Sequence, residues 1–217
     1  MKKCIILANG QPPRKSLLIY LSKVGYSTLI CADGGANTAF KYNLIPDAVI
    51  GDFDSINKSA YDYYQNNSKV IKITRQNDTD VEKCLKYAIK KRFAEAILLG
   101  ATGDRLDHSF CNLGIVLKYS DKINISIVHQ KSILTTYSGK VLLKTVPGEV
   151  ISLYGITKST RILSEGLKYP LNNMTLPFGE KESTSNVALE ENISLKITKG
   201  KIFVVRDFEL MKKNGLI

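Results

Sequence analysis

The first half of the chain alternates between short apolar runs and segments whose apolar residues recur at helical spacing. The apolar runs predict strands at 4–8, 27–32, 48–50, 70–73 and 94–99. Helical spacing predicts helices at 16–24, 36–42, 80–91 and 108–117, and Thr79 or Asp78 is the expected cap of the third helix. This alternation is typical of a mostly parallel sheet covered by helices.

The rhythm changes after residue 123, where strand patterns follow one another without a convincing amphipathic helix. Turns are expected at Gly139, Pro147-Gly148 and Lys199-Gly200. The strands themselves are predicted at 125–129, 132–137, 140–146, 150–154, 194–198 and 201–205. We therefore predict an α/β domain at 1–128, followed by an antiparallel β-sandwich domain at 129–217.

Composition restricts the class of protein. Of the 217 residues, 44% are apolar and 24% are charged, which is typical of a globular protein and excludes disordered and collagen-like chains. No apolar run approaches the roughly 20 residues of a membrane span, and Met1-Lys2-Lys3 does not open a signal peptide. We expect a cytoplasmic protein with no membrane partner. The four cysteines form no C-x-x-C pair, so we expect four buried free thiols and no zinc site.

The net charge of +11 raises the question of a nucleic-acid partner. The excess is spread evenly, with +6 in residues 1–128 and +5 in the remainder, and Lys90-Lys91-Arg92 is typical of a solvated helix end. We therefore expect no nucleic acid. Aspartate is less even, since ten of eleven lie between Asp33 and Asp121. This clustering favours either an anionic substrate held with a metal ion or the ordinary caps and turns of an α/β half.

Four polar clusters follow predicted strands, at the edge where open α/β sheets bind ligands. They are Asp33-Gly34-Gly35, Gly51 to Ser55, Gln76 to Asp80, and Gly100 to His108. Carboxylates two residues apart suit Mg²⁺, glycines let backbone N–H groups approach phosphate, and an arginine offsets phosphoryl charge. Each cluster alone also occurs as an ordinary turn. Together they predict a site for a phosphorylated ligand.

The order and spacing of these clusters resemble the thiamine pyrophosphokinase family. The matching runs are Ala32 to Asn37, Gly51 to Ile56, Asp78-Thr79-Asp80, and Gly100 to His108. In the second half, Gly166 to Leu171 and Ser183 to Asn186 resemble that family's thiamine-side motifs. The resemblance covers about the whole chain. It implies transfer of a diphosphoryl group from ATP to the hydroxyl of thiamine, giving thiamine diphosphate and AMP.

The resemblance also implies roles for particular residues. Mg²⁺ would be held by Asp52, Asp54 and Asp80, and Asp54 or Asp80 would accept the hydroxyl proton. Arg105 would contact phosphate with Asp107 close by, and Asp104 would face solvent or a metal. The nucleotide would be bound by Asp33, Gly34, Gln76, Asp78 and Thr79, and the thiamine side would be formed by Ser183, Ser185 and Asn186.

The same resemblance implies a homodimer with active sites between the α/β domain of one chain and the sandwich of the other. Three alternatives stay open on sequence alone. The chain could be an ATP-dependent pyrophosphokinase or kinase acting on another small alcohol. It could be a nucleic-acid-binding module, or a β-sandwich interaction domain attached to a degenerate enzyme.

Overall fold

The computed structural model describes residues 1–103 and 105–217, so the expectation for Asp104 lies outside the described residues. The chain divides into two compact units, Met1–His129 and Gln130–Ile217. Each unit has its own strand pattern and its own apolar core. The two are described separately below.

The first unit is built on six strands that all pair in parallel. Their order across the sheet is β6-β5-β1-β2-β3-β4. Strands β2 to β4 therefore lie on one side of β1, and β5 and β6 lie on the other, so the strand order reverses between β1 and β5. Their bounds are β1 Lys3–Leu7, β2 Thr28–Ala32, β3 Ala48–Gly51, β4 Lys69–Lys72, β5 Glu95–Leu99 and β6 Asn124–His129. Strands β1, β3 and β5 are almost wholly buried, which is why they appear in the sequence as uninterrupted apolar runs.

Five helices connect these strands: α1 Lys15–Lys23, α2 Gly35–Lys41, α3 Lys58–Asn67, α4 Asp80–Lys90 and α5 Leu106–Tyr119. Thr79 caps α4 as predicted, because its hydroxyl accepts the backbone N–H of Glu82. Helix α3 was missed from the sequence because it is polar along most of its length, with Ala60 and Tyr64 as its buried residues.

The second unit is antiparallel throughout. Its strands are β7 Ser132–Lys144, β8 Val150–Gly155, β9 Arg161–Glu165, β10 Met174–Thr175, β11 Ser183–Val187 and β12 Asn192–Asp207. The long strand β12 pairs with β7 along its length, with β9 through its first half and with β8 through its second. The prediction of a mixed α/β chain with a parallel first sheet and antiparallel later strands is confirmed, while the two layers of a sandwich stay a prediction.

Two of the expected turns in this unit are wrong. Gly139 lies inside β7, and Lys199-Gly200 lies inside β12. The register of this pair shifts between Ile197 and Ile202, and all three turn-like residues have positive φ. They therefore form an irregularity that bends two long strands rather than ending them. A short helix, α6 Phe208–Lys213, was also missed, and Asp207 caps it by accepting the N–H of Leu210.

The cysteine expectation is also partly wrong. Cys4, Cys31 and Cys84 are buried free thiols as predicted, but Cys111 is exposed on α5. Cys111 follows the apolar Phe110 in sequence, and Phe110 is itself 64% exposed. Among the described residues, no helix combines the length and the apolar character needed to cross a bilayer.

Candidate active site

A cavity of about 710 Å³ opens at the carboxyl ends of the parallel strands in the first unit. Residues from the loops after β1, β2, β3, β4 and β5 line it, together with the first turns of α4 and α5. It therefore includes the point between β1 and β5 where the strand order reverses, which is where open α/β sheets place their ligands. All four polar clusters of the sequence contribute to its wall.

Three carboxylates converge in this cavity. Asp33, Asp52 and Asp80 each offer an oxygen, and these oxygens lie within 4.8 Å of one another. They come from the ends of β2 and β3 and from the first residue of α4, so sequence positions far apart meet at one edge of the sheet.

Asp33 is fixed by the loop that follows β3. Its backbone has a positive φ of 40°, and its carboxylate accepts the backbone N–H groups of Ser55 at 3.3 Å and Ile56 at 3.0 Å. Gly51 permits this approach, because a Cβ there would lie 2.7 Å from the Cβ of Asp33. Burial raises the pKa of Asp33 to about 6, and the N–H of Ser55 offsets part of that rise.

Asp52 is held by Gln76, whose Nε2 donates to Oδ2 at 2.9 Å. This hydrogen bond is the main reason that the pKa of Asp52 lies below its ordinary value. The other oxygen, Oδ1, is buried and has no hydrogen-bond partner among the described residues. Gln76, expected to bind the nucleotide, thus holds a carboxylate in place here.

Asp80 is paired with Lys83, one turn later on α4. The Lys83 ammonium lies 2.9 Å from Asp80 Oδ1 and 3.9 Å from Asp52 Oδ2, and its side chain is only 3% exposed. Burial raises the pKa of Asp80, and the hydrogen bond from Lys83 opposes that rise. Lys83 was missed from the sequence, although the three-residue spacing from Asp80 on a predicted helix could have indicated the pair.

The three converging carboxylates fit a divalent cation. An orphaned buried carboxylate oxygen at Asp52 costs free energy unless a cation or donor meets it. Hard carboxylate oxygens are the ligands that Mg²⁺ accepts alongside substrate phosphates. Asp33 and Asp80 have raised pKa values because burial disfavours their charged forms, and a cation would reverse that preference.

Asp54, which the resemblance grouped with the metal ligands, lies on the same cavity wall but does not belong to this set of three. It is exposed on the cavity wall and accepts the hydroxyl of Ser55 at 2.8 Å. Among the described carboxylates, the three that lie close to one another are Asp33, Asp52 and Asp80, so Asp33 stands where Asp54 was expected. Asp54 remains available to a ligand in the cavity, and its metal role stays a prediction.

Arg105 and Asp107 form a two-point pair at the start of α5, with Nε to Oδ1 at 3.1 Å and Nη2 to Oδ2 at 2.5 Å. Both side chains are about three-fifths exposed, with 60% for the arginine and 62% for the aspartate. The guanidinium lowers the pKa of Asp107 to about 2. The pair therefore lies on the cavity rim, where its guanidinium can meet an anionic ligand.

Asp78 is paired with neighbouring cations, and its expected contact with the nucleotide stays a prediction. Lys86 donates to it at 2.5 Å, and Arg75 also pairs with it. Because Lys86 lies on α4, its pair with Asp78 ties the loop before α4 to that helix. Lys86 also lies 3.4 Å from Glu82 on the same helix. Asp78 lines the cavity, and the structure gives it a role in shaping this loop.

Glycines bring backbone segments close together at this edge. A Cβ on Gly34 would collide with the side chain of Asn9, and one on Gly35 would collide with the carbonyl oxygen of Leu7. The loop after β1 therefore packs directly against the start of α2. Asn9 lines the cavity, and the sequence had indicated only a turn at that position.

In the second unit, the Ser183 to Asn186 motif lies on β11, and its residues differ in how far they are exposed. The Asn186 side chain is 1% exposed; its amide donates to Tyr169 O and Ser183 Oγ, and its oxygen accepts the N–H groups of Tyr169 and Val187. These bonds use its full hydrogen-bonding capacity, and its expected contact with thiamine stays a prediction. Ser185 is exposed with a positive φ of 54°, and Ser183 is half-buried.

Two family models match this chain, one within each of its two compact units. The model of the thiamin pyrophosphokinase catalytic domain matches residues 23–128, and that of the thiamin pyrophosphokinase vitamin B1 binding domain matches residues 140–202. Thiamine pyrophosphokinase 1 of Arabidopsis thaliana is 28% identical over 216 residues, covering 86% of this chain and 79% of the relative. Thiamin pyrophosphokinase 1 of Caenorhabditis elegans is 28% identical over 191 residues, covering 81% and 77%.

A comparison with solved structures finds the same fold in thiamine pyrophosphokinases. The crystal structure of thiamine pyrophosphokinase from Bacillus subtilis superposes with a TM-score of 0.82 at 23% identity, covering 96% of this chain and 100% of that one. The two matched domain models, the sequence relatives and the fold all point in one direction. The chain belongs to the thiamine pyrophosphokinase family.

Proposed function

We propose that this protein transfers the diphosphoryl group of ATP to the hydroxyl of thiamine, giving thiamine diphosphate and AMP. The observation that carries the proposal is the convergence of Asp33, Asp52 and Asp80 in the cavity of a chain that belongs to this family. Free cysteines in the described chain support a reducing compartment such as the cytoplasm.

The chemistry requires charge neutralisation and in-line positioning more than covalent catalysis. Asp33, Asp52 and Asp80 are the residues that would hold Mg²⁺, which, when bound, supplies charge neutralisation for the triphosphate. Arg105 on the rim adds a guanidinium that can pair with phosphate oxygens. Gln76 and the N–H groups of Ser55 and Ile56 keep two of the carboxylates in place before any ligand arrives.

In the transfer itself, the hydroxyl oxygen of thiamine forms a bond to the β-phosphorus of ATP. The bond between that phosphorus and the α-phosphate bridging oxygen breaks, and AMP leaves. We assign the proton of the hydroxyl to the carboxylate of Asp54, because it lines the cavity and is exposed outside the three converging carboxylates. A positioned base of this kind contributes roughly 10² to 10⁴ in rate.

On the thiamine side, Ser183 and Ser185 are the residues of the β11 motif that remain accessible. We propose that they help to form the thiamine side of a site shared with the partner chain of a homodimer. The family resemblance implies that Ser185 and Asn186 hydrogen-bond the aminopyrimidine. Light scattering at working concentration tests the assembly, and a monomer would contradict it.

A coupled AMP-release assay tests the reaction. ATP, Mg²⁺ and thiamine are omitted in turn, and the product is identified by mass spectrometry. AMP formation that needs all three, with thiamine diphosphate as product, is the expected outcome. Release of ADP would identify a simple kinase, and no reaction with thiamine would point to another alcohol as the acceptor.

A further inference from the structure

Lys83 is a buried cation inside a cluster of carboxylates. Its side chain is 3% exposed, and its ammonium lies 2.9 Å from Asp80 Oδ1 and 3.9 Å from Asp52 Oδ2. Lysine is almost never fully buried unless it is paired. The reaction proposed above assigns it no step, so its place in the cavity wall requires an explanation of its own.

Both carboxylates that Lys83 contacts belong to the group that would hold a divalent cation. Asp33, Asp52 and Asp80 together carry three negative charges when ionised, and the ammonium reduces that local charge by one. A cation entering the cavity therefore shares Asp52 and Asp80 with a positive charge already present. Like charges at such short range in a partly buried site repel strongly, because solvent screens them only weakly.

We propose that Lys83 is a built-in counterion that keeps the divalent-cation affinity of the empty cavity low until nucleotide phosphates enter. This proposal rests on the proposed function, since it concerns the same site. Phosphate oxygens supply the negative charge that Lys83 has cancelled, and an ammonium with three donors pairs readily with them. The cation then binds well only together with a polyphosphate. The structure thus assigns Lys83 the coupling between metal and nucleotide.

The test measures Mn²⁺ binding by calorimetry on the full chain, freed of metal, at pH 8 and without nucleotide. Lys83→Met removes the charge and keeps the length of the side chain, and we expect it to bind Mn²⁺ at least tenfold more tightly than wild type. Lys90→Met makes the same charge change at an exposed position in the last turn of the same helix, and we expect a change below twofold. Equal or weaker Mn²⁺ binding by Lys83→Met would overturn the proposal.

Thermal unfolding provides a second readout. Without Lys83 the carboxylates lack their counterion, so we expect Lys83→Met to melt at a lower temperature than wild type in EDTA and to recover in Mn²⁺. Lys83→Gln keeps a donor for Asp80 and serves as the second variant. If neither variant folds even with Mn²⁺, Lys83 is a structural residue and the proposal is wrong.

The counterion role of Lys83 and the proposed reaction can each fail without the other. A wild-type protein that forms no AMP from ATP and thiamine would contradict the reaction, whatever the Mn²⁺ titrations show. A wild-type protein that forms AMP while Lys83→Met shows unchanged Mn²⁺ affinity would contradict only the counterion role.

Discussion

Asp33 Oδ1 accepts the backbone N–H of Ile56 at 3.0 Å, and this bond joins the loop after β2 to the loop after β3. The other oxygen accepts the N–H of Ser55 at 3.3 Å. One carboxylate therefore organises the neighbouring loop and also belongs to the three that would hold a cation.

The two roles of Asp33 can be separated by substitution. Asp33→Ala removes both acceptors and puts alanine at a φ of 40°, so we expect a loss of about 2–3 kcal/mol in the free energy of unfolding. Asp33→Asn keeps one acceptor and tolerates that backbone, so the loss should stay below about 1 kcal/mol while Mn²⁺ affinity falls. Urea unfolding and Mn²⁺ titration measure the two effects. Equal stability of the two variants would contradict the loop-organising role.

Asp54→Asn tests the proposed proton acceptor. The side chain is exposed, so the variant should fold normally while turnover falls by roughly 100-fold or more. Steady-state AMP release and circular dichroism give the two readouts. Asp62→Asn, the same change on the exposed face of α3, is the control and should keep normal turnover. Near-normal turnover in Asp54→Asn would remove Asp54 from the site.

Replacing Gly35 or Gly114 by alanine should change the free energy of unfolding in opposite directions. A Cβ on Gly35 would collide with the carbonyl oxygen of Leu7, so Gly35→Ala should destabilise the protein by about 1–3 kcal/mol. Gly114 lies inside α5 with open space around its Cβ position, so Gly114→Ala should stabilise by about 0.5–1 kcal/mol. Denaturant unfolding compares them, and a stable Gly35→Ala would mean that the β1 loop can move away.

Glu82 is a buried acceptor shared by two helices. Its Oε1 accepts Lys118 Nζ at 2.7 Å and the Tyr119 hydroxyl at 2.6 Å, both from the last turn of α5. Glu82→Ala leaves the buried tyrosine hydroxyl without this partner, so we expect a loss of about 2 kcal/mol in the free energy of unfolding.

The control for Glu82 is Glu209→Ala. Glu209 makes an exposed ion pair with Lys212 at 3.7 Å, and removing it should cost less than about 0.5 kcal/mol. Both variants are compared by urea unfolding. Similar losses for the two would show that the α4–α5 connection adds no stability.

Asn186 and Ser185 are neighbours with different expected phenotypes. Asn186→Ala breaks four hydrogen bonds in a buried position, so it should destabilise the protein by about 2–4 kcal/mol. Ser185→Ala should leave stability nearly unchanged and raise the KM for thiamine without changing the KM for ATP. Steady-state kinetics with each substrate varied measures this difference. A normal thiamine KM in Ser185→Ala would remove that hydroxyl from the acceptor site.

Much of the first unit could be predicted because β1, β3 and β5 are almost wholly buried and helices such as α4 are amphipathic, so the order of apolar and polar residues follows the burial. Helix α3 escaped because polar residues dominate it and tertiary contacts at Tyr64 hold it in place. The bends of β7 and β12 were misread as turns because glycine at positive φ serves both purposes. Only long-range pairing distinguishes a bulge from a hairpin.

For the candidate site, the sequence located the loops but not the partners within them. Carboxylates at the ends of successive parallel strands must meet, and they do. The orientation of each carboxylate is set by hydrogen bonds such as the one from Gln76 to Asp52. These bonds depend on side-chain directions, which cannot be read from the spacing of residues in the sequence. Lys83 escaped for the same reason, because a lysine on a helix is usually solvated.

Strand β4 ends one side of the parallel sheet, pairing with β3 alone among the described strands. Its sequence is Lys-Val-Ile-Lys, and the two lysines at its ends are exposed. An unpaired strand edge is a template on which another chain can add a strand, and paired lysines would place like charges against each other in any such addition. Part of the large positive charge of this chain thus protects it from aggregation, a role that requires no anionic partner.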